Sequence, residues 1–241
     1  MPLLDHFHPP LFPTRRWESF HALWAGEIVA ALNGSVLPEG YYAETQVHLG
    51  GRVEVDVATL EQSGRQAAAG NGPVATATEV WAPPVPALVM PAVFPDEIEV
   101  QVYGSPTGAH LVGAVELVSP GNKDRPDTRQ AFAIKCAGYL QRGVGLLVVD
   151  VVTERLANLH NELIGLLHQP AAYRFPGDPP TYAVAYRPAR RDPGGDQVDI
   201  WPVPLAIGRP LPVMPLALRD GPTVPVDLEA TYTGARERSR L

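Results

Sequence analysis

The sequence predicts one α/β domain, with a mixed, partly antiparallel sheet flanked by helices and a proline-rich C-terminal arm. Three features predict it: an alternating strand pair around Gly50-Gly51, an apolar strand–helix–strand unit over residues 111–152, and 13 prolines within residues 170–225. Of the 241 residues, 45% are hydrophobic and 19% are charged. That much apolar side chain can fill one sizeable core, which excludes a disordered or fibrous protein.

The N-terminal part of the chain is predicted to form a helix and an antiparallel hairpin. Apolar residues recur at spacings of three and four over residues 14–31, as on the buried face of a helix. Residues 41–49 and 52–60 both alternate between apolar and polar side chains, and Gly50-Gly51 joins them as a two-residue loop. The valines of the second strand share one face, which places Asp56 on the other face.

The middle of the chain is predicted to contribute two further strands, at residues 74–82 and 97–103. The segment between them, residues 83–95, is interrupted by prolines and cannot form a central strand.

A parallel βαβ unit is predicted next. Residues 111–118 and 144–152 are almost entirely apolar, which is typical of strands buried on both faces. Residues 128–142 between them have the apolar spacing of a helix that stops at Gly143, and such crossovers are right-handed. Another helix is predicted over residues 154–167.

The C-terminal part is predicted to be an extended arm that wraps the core, because its many prolines block central ladders. Short strands are predicted within it at residues 182–187 and 197–202, and a closing helix at 226–238. The core is therefore assigned to residues 1–169 and the arm to residues 170–241, within the same domain.

Charge and cysteine content limit the classes of function. The net charge of −7 argues against a protein that coats nucleic acid, although residues 121–145 carry a local charge of +3. The single cysteine, Cys136, permits no internal disulfide, which predicts a reducing, cytoplasmic setting. No apolar run approaches the roughly 20 residues of a bilayer span, and no signal peptide is visible at the N-terminus.

Glu116 is the most informative anomaly, since it is a lone carboxylate inside an apolar strand. An ionised carboxylate there is costly unless it is paired, hydrogen-bonded or bound to a metal. Asp56 on a neighbouring strand could converge with it, and carboxylates with water are the usual ligands of Mg²⁺. The alternative is a structural pair between Glu116 and Arg129 or Arg142.

Several segments of the sequence together resemble a known family. The segments are Trp17-x-x-Phe20-His21, Val53 to Ala58, Val115 to Lys123, Lys135 with Tyr139 and Gly143-Val144, Ile200 to Leu205, and Val224 to Leu228. They resemble an uncharacterised bacterial domain-of-unknown-function family related to the Uma-type endonucleases, of the restriction-endonuclease-like PD-(D/E)XK superfamily. The resemblance covers nearly the whole chain.

The resemblance implies a restriction-endonuclease-like fold and Mg²⁺-dependent phosphodiester hydrolysis. By motif match, Asp56, Glu116 and the Leu117 carbonyl become the metal ligands, and Lys135 becomes the lysine that helps to activate water. Glu44 matches a further acidic position.

This sequence departs from the family pattern at two positions. Val55 stands in place of the motif proline, and Val118 stands where the standard lysine would follow the glutamate. The Uma-type pattern moves that lysine to the helix, as at Lys135, and Lys123 in the loop beyond the strand is the competing candidate.

The local positive charge and the family resemblance also predict binding partners. Nucleic acid is expected to bind through Lys123, Arg125, Arg129 and Lys135, and a second copy of the chain is a further expected partner. The rival hypothesis is a non-catalytic interaction or scaffold protein that retains the fold, which the net charge of −7 and the absence of a lysine at position 118 favour.

Overall fold

The computed structural model describes residues 2–48, 54–61, 81–92, 110–191, 193 and 195–241. Nine strands and five α-helices lie in this part of the chain, with a π-helical turn at Leu32–Val36 and a 3₁₀ turn at Ala171–Tyr173. In chain order they are α1 (Trp17–Ala31), β1 (Tyr41–His48), β2 (Glu54–Glu61), β3 (Leu88–Pro91), β4 (His110–Leu117), α2 (Pro120–Asp124), α3 (Pro126–Gln141), β5 (Gly145–Asp150), α4 (Leu159–Leu166), β6 (Tyr182–Arg191), β7 (Gly195–Pro204), β8 (Val213–Ala217), β9 (Thr223–Asp227) and α5 (Leu228–Ser239).

Seven strands form one mixed sheet in the order β1-β2-β4-β5-β6-β7-β3. The β4–β5 pair is parallel, and the other neighbouring pairs are antiparallel. The mixed, partly antiparallel sheet flanked by helices that the sequence predicts is therefore confirmed. The hairpin partners β1 and β2 pair as expected, while their connecting loop lies outside the described residues.

The parallel βαβ unit is also confirmed, with α3 connecting β4 to β5. Every residue of β5 is buried, and in β4 only His110 is exposed. α3 packs against β5 and β6 on one side of the sheet. The β8–β9 hairpin contacts the opposite side of the sheet. There Leu218, the residue after β8, lies close to Gly113 of β4, such that a Cβ placed on Gly113 would be 3.2 Å from Leu218 Cδ2.

The proline-rich segment does not form an extended arm over residues 182–204. Here the structure corrects the prediction: β6 is an interior strand beside β5, and β7 lies between β6 and β3. Tyr182, Val184 and Tyr186 of β6 are fully buried in the core. The C-terminal segment therefore completes the same core as the N-terminal one.

The prolines fit this sheet because each one lies beyond the residues that pair on one side of its strand. β5 pairs with β6 only from Tyr182 to Tyr186, so Pro188 has no neighbour on that side. β3 pairs with β7 only up to Ile200, so Pro202 and Pro204 likewise face β6 alone. A strand tolerates a missing N–H where that N–H would meet no neighbouring strand.

Other predictions meet the structure in part. The helix predicted over 154–167 starts only at Leu159, because the side chain of Asn158 caps it by accepting from Asn161 N–H. The closing helix is confirmed as α5. The strand predicted at 97–103, and most of that at 74–82, lie outside the described residues, and Trp81 and Ala82 are not in a strand.

Candidate functional site

The parallel βαβ unit brings a buried carboxylate and a lysine together. Glu116 is the penultimate residue of β4, and α3 returns across the sheet above it. Lys135 and Tyr139 are four residues apart on α3, a spacing that places both side chains on the helix face nearest the strand. Glu116 on β4 therefore faces Lys135 and Tyr139 of α3.

Both carboxylate oxygens of Glu116 are engaged by α3. Lys135 Nζ donates to Oε2 at 2.6 Å, and the Tyr139 hydroxyl donates to Oε1 at 3.2 Å. The residue Glu116 is only 2% exposed, whereas the side chain of Lys135 is 23% exposed. The lysine thus compensates the buried charge while part of its side chain stays open to solvent.

Glu116 therefore has a different partner from those that the structural alternative names. Arg129 Nε donates instead to Glu162 Oε1 at 3.0 Å, on the surface between α3 and α4. Lys135 and Tyr139 hold the Glu116 carboxylate.

The Leu117 carbonyl, predicted as a metal ligand, already accepts a hydrogen bond. His21 Nε2 of α1 lies 2.9 Å from this oxygen, so Nε2 carries the proton of that imidazole. A carbonyl oxygen has a second lone pair. The contact orients the carbonyl and ties α1 to the end of β4.

Asp56 occupies the strand position beside Glu116. The β2–β4 ladder pairs Val57 with Val115, and the next residues outward are Asp56 on β2 and Glu116 on β4. The backbone register therefore makes these two positions neighbours. The side chain of Asp56 lies outside the described part of the chain.

Glu44 is further away, although it lies on the same face of the sheet as Glu116. It pairs with Ala58, which pairs in turn with Ala114, two residues before Glu116. Its side chain is exposed on β1, at the edge of the sheet. Two strand spacings, about 10 Å, separate the backbone of Glu44 from that of β4.

Lys123 is buried and is surrounded by oxygen atoms of the protein. It is 1% exposed, and its Nζ lies 2.9 Å from Asp150 Oδ2, 2.9 Å from the Pro180 carbonyl and 3.2 Å from the Val152 carbonyl. Neither side chain of the ion pair has any solvent exposure. Three oxygens thus surround the ammonium, and Lys123 cannot reach a phosphate as a surface contact would require, which corrects its place in the predicted nucleic-acid surface.

Burial governs the ionisation of this pair. Desolvation raises the pKa of Asp150 to about 6, and Lys123 opposes that rise. Desolvation also lowers the pKa of Lys123, while Asp150 opposes the fall. Each partner therefore stabilises the charged form of the other.

The remaining predicted basic contacts are on the surface but already have carboxylate neighbours. Arg125 Nε lies 3.8 Å from Asp127 Oδ1, with both side chains well exposed, and Arg129 pairs with Glu162. Exposed pairs of this kind are weak and can exchange partners.

Among the described side chains, no group of three or more histidine, cysteine, aspartate or glutamate residues could hold a metal ion. None of the described helices is long and apolar enough to span a bilayer. The chain matches no protein-family model, no curated protein and no solved structure.

The motif segments of the sequence include Tyr139 and His21, but they assign neither residue a role at this site. The spacing of four between Lys135 and Tyr139 is the one sequence signal that the two side chains share a partner. The contact of His21 with a main-chain carbonyl has no sequence signal, because it joins residues 96 positions apart.

Proposed function

We propose that the protein is a Mg²⁺-dependent phosphodiesterase of the PD-(D/E)XK type that cleaves nucleic acid, on a restriction-endonuclease-like fold. The observation that carries the proposal is the 2.6 Å contact between Lys135 Nζ and Glu116 Oε2. This contact joins Glu116 of β4 to Lys135 of α3, the two residues that the motif resemblance pairs, which are 19 positions apart in the sequence.

The oxygen donors at this site suit a hard cation. Glu116 offers a carboxylate, Leu117 offers a carbonyl, and Asp56 occupies the adjacent strand position. Mg²⁺ takes few protein oxygens and keeps several waters, so three such residues are enough. When bound, Mg²⁺ supplies Lewis acidity toward a phosphoryl oxygen and lowers the pKa of water.

The chain's own residues have separate tasks in this proposal. Lys135, whose side chain is partly exposed, orients a water molecule and stabilises negative charge as it develops on the phosphate. Tyr139 holds the Glu116 carboxylate in one orientation. His21 fixes the Leu117 carbonyl, so that both oxygen donors of β4 are oriented before a substrate arrives.

The test compares cleavage of labelled single- and double-stranded DNA and RNA with MgCl₂ and with a chelator. We expect wild-type cleavage only with Mg²⁺, and a loss of roughly 100-fold or more in Glu116→Gln and in Lys135→Met. Glu18→Gln is the matched control, because Glu18 is an exposed carboxylate on α1. Calorimetric titration with Mg²⁺ gives a second readout, in which Glu116→Gln weakens binding and Glu18→Gln does not.

A non-catalytic interaction protein is the second candidate. It is favoured by the hydrogen bonds that already satisfy both Glu116 oxygens and by the existing partner of the Leu117 carbonyl. Folded wild-type protein that leaves every nucleic acid intact and shows no Mg²⁺ binding would support this candidate and refute the nuclease.

A further inference from the structure

A cavity lies at the end of the sheet where β4 and β5 begin, opposite the end that holds Glu116. It measures about 530 Å³ and is lined by the end of α3, the far halves of β6 and β7, and the turn between β8 and β9. β4 and β5 begin at this end, where Gly113 pairs with Gly145, whereas Glu116 lies near the end where β4 finishes. The cavity is therefore separate from the proposed nuclease site.

Basic side chains dominate the lining of this cavity. Its charged residues are four arginines and two aspartates, namely Arg142, Arg187, Arg190, Arg219, Asp196 and Asp220. The net charge of +2 contrasts with −7 for the whole chain. We call this cavity the arginine pocket.

The two aspartates neutralise the arginine pocket only weakly. Asp196 Oδ1 lies 3.9 Å from Arg190 Nε, and both side chains are more than two-thirds exposed. Asp220 Oδ2 lies 3.5 Å from Arg219 Nε, with the aspartate side chain 90% exposed. Solvent screens such pairs strongly, so they leave most of the positive potential in place.

Arg142 is the best-placed group for a ligand. Its Nη1 is buried and has no hydrogen-bond partner among the described residues. A buried N–H without a partner carries a desolvation cost that an anion would remove. Burial also lowers the pKa of Arg142, which indicates that its charge lacks full compensation.

Arg219 packs beside Gly143, the residue that follows Arg142 in the chain. A Cβ placed on Gly143 would lie 3.7 Å from Arg219 Nε and from its Cγ. The backbone of Gly143 has a φ of +77°, a conformation that favours glycine. Arg142 and Arg219 both line the arginine pocket.

A buried carboxylate holds the opposite wall in place. Arg187 and Arg191 both donate to Asp199, whose side chain is 0% exposed, with Arg191 Nη2 2.9 Å from Oδ2. One carboxylate shared by two guanidinium groups leaves this wall positively charged. The shared pairing also fixes Arg187 before any ligand binds.

We propose that the arginine pocket binds a small molecule that carries a phosphate group, held by Arg142 and Arg219 and facing Arg187. A guanidinium group matches the oxygens of a phosphate with two parallel hydrogen bonds. A volume of about 530 Å³ is within the usual range for small-molecule sites, roughly 300–1,000 Å³. This site is independent of the proposed nuclease activity.

The test is calorimetric titration of the full chain with inorganic phosphate, glucose 6-phosphate and, as a carboxylate probe, malonate. We expect saturable binding of phosphate and tighter binding of glucose 6-phosphate, with affinity at least tenfold weaker in Arg142→Gln. Arg209→Gln is the matched control, since Arg209 is exposed and does not line the pocket. Arg219→Gln decides the question if Arg142→Gln does not fold, as judged by circular dichroism.

Three results would overturn the proposal. The first is no binding of either phosphate probe, or binding that Arg142→Gln and Arg219→Gln leave unchanged. The second is malonate binding as tight as that of phosphate, which would make this a carboxylate site. The third is an oligonucleotide that binds the wild type more tightly than glucose 6-phosphate and loses that affinity in Arg219→Gln, which would make the occupant nucleic acid.

Discussion

Replacing Lys123 with methionine is expected to destabilise the fold by about 3–5 kcal/mol at neutral pH. The variant removes the ammonium from a pair with no solvent exposure on either side, and Asp150 would then be buried without its cation. The carbonyls of Val152 and Pro180 would also lose their donor. Methionine has a similar volume, so little of the loss would come from a cavity.

The magnitude should depend on pH, because the cost arises from the charged form of Asp150. Its pKa is already about 6 beside Lys123, against 3.8 in the unfolded chain, and it would rise further without that lysine. A raised pKa favours the folded state at low pH, and that contribution is lost as pH rises through the folded value. The Lys123→Met penalty should therefore be smaller at pH 5 than at pH 8.

Urea unfolding followed by circular dichroism measures both effects. The double variant Lys123→Met with Asp150→Asn should recover at least about 1 kcal/mol relative to the sum of the two single changes, since neither charge then remains buried. The control is Arg155→Met, which removes a cation from an exposed pair with Asp124 at 3.5 Å and should cost no more than about 1 kcal/mol. Additive costs, or a penalty independent of pH, would refute the buried-pair reasoning.

Two further predictions concern acid sensitivity and backbone packing. The buried His6 and His160 have pKa values lowered to about 4 by desolvation, against 6.5 in the unfolded chain, so their contribution to stability is present above pH 6.5 and is lost as pH falls toward 4. At pH 5 each histidine should lower the free energy of unfolding by about 2 kcal/mol relative to pH 8, as measured by urea unfolding. A free energy of unfolding that does not fall between pH 8 and pH 5 would contradict this prediction. Gly145→Ala should lower the free energy of unfolding by about 3 kcal/mol, because the added Cβ would lie 2.0 Å from a main-chain oxygen of β8. The control is Gly26→Ala on α1, where the added Cβ meets nothing within 4 Å and the change should be neutral or stabilising in thermal unfolding. Equal effects of the two substitutions would contradict the packing argument.

The sheet and its helices could be predicted where apolar periodicity coincides with burial. The β4–α3–β5 unit was predicted because continuous apolar runs on both sides of a 3.6-residue pattern permit few other folds. The participation of β6 and β7 in the same sheet could not be predicted in this way, since proline content alone does not show which strand edge is unpaired. Register between distant segments decides that, and one sequence does not encode it locally.

The candidate site was predictable in the same partial way. Glu116 was noticeable because a carboxylate inside an apolar strand needs a partner, and Lys135 was expected from the motif series. Asp150 likewise lies inside an apolar strand, yet its pairing with Lys123 across 27 residues needed the three-dimensional structure. Glu116 and Asp150 both have lysine partners, so the two lysines of this arginine-rich chain each compensate one of these two buried carboxylates.

The placement of prolines on β7 also bears on self-association. Among the described strands, residues 201–204 extend past the last residue of this strand that pairs with β3, and a strand edge without a ladder partner can recruit a strand from another molecule. Pro202 and Pro204 have no N–H to offer there, so this stretch lacks the donors that intermolecular sheet growth requires. The residues that obscured the strand in the sequence thus protect the folded protein against edge-to-edge aggregation.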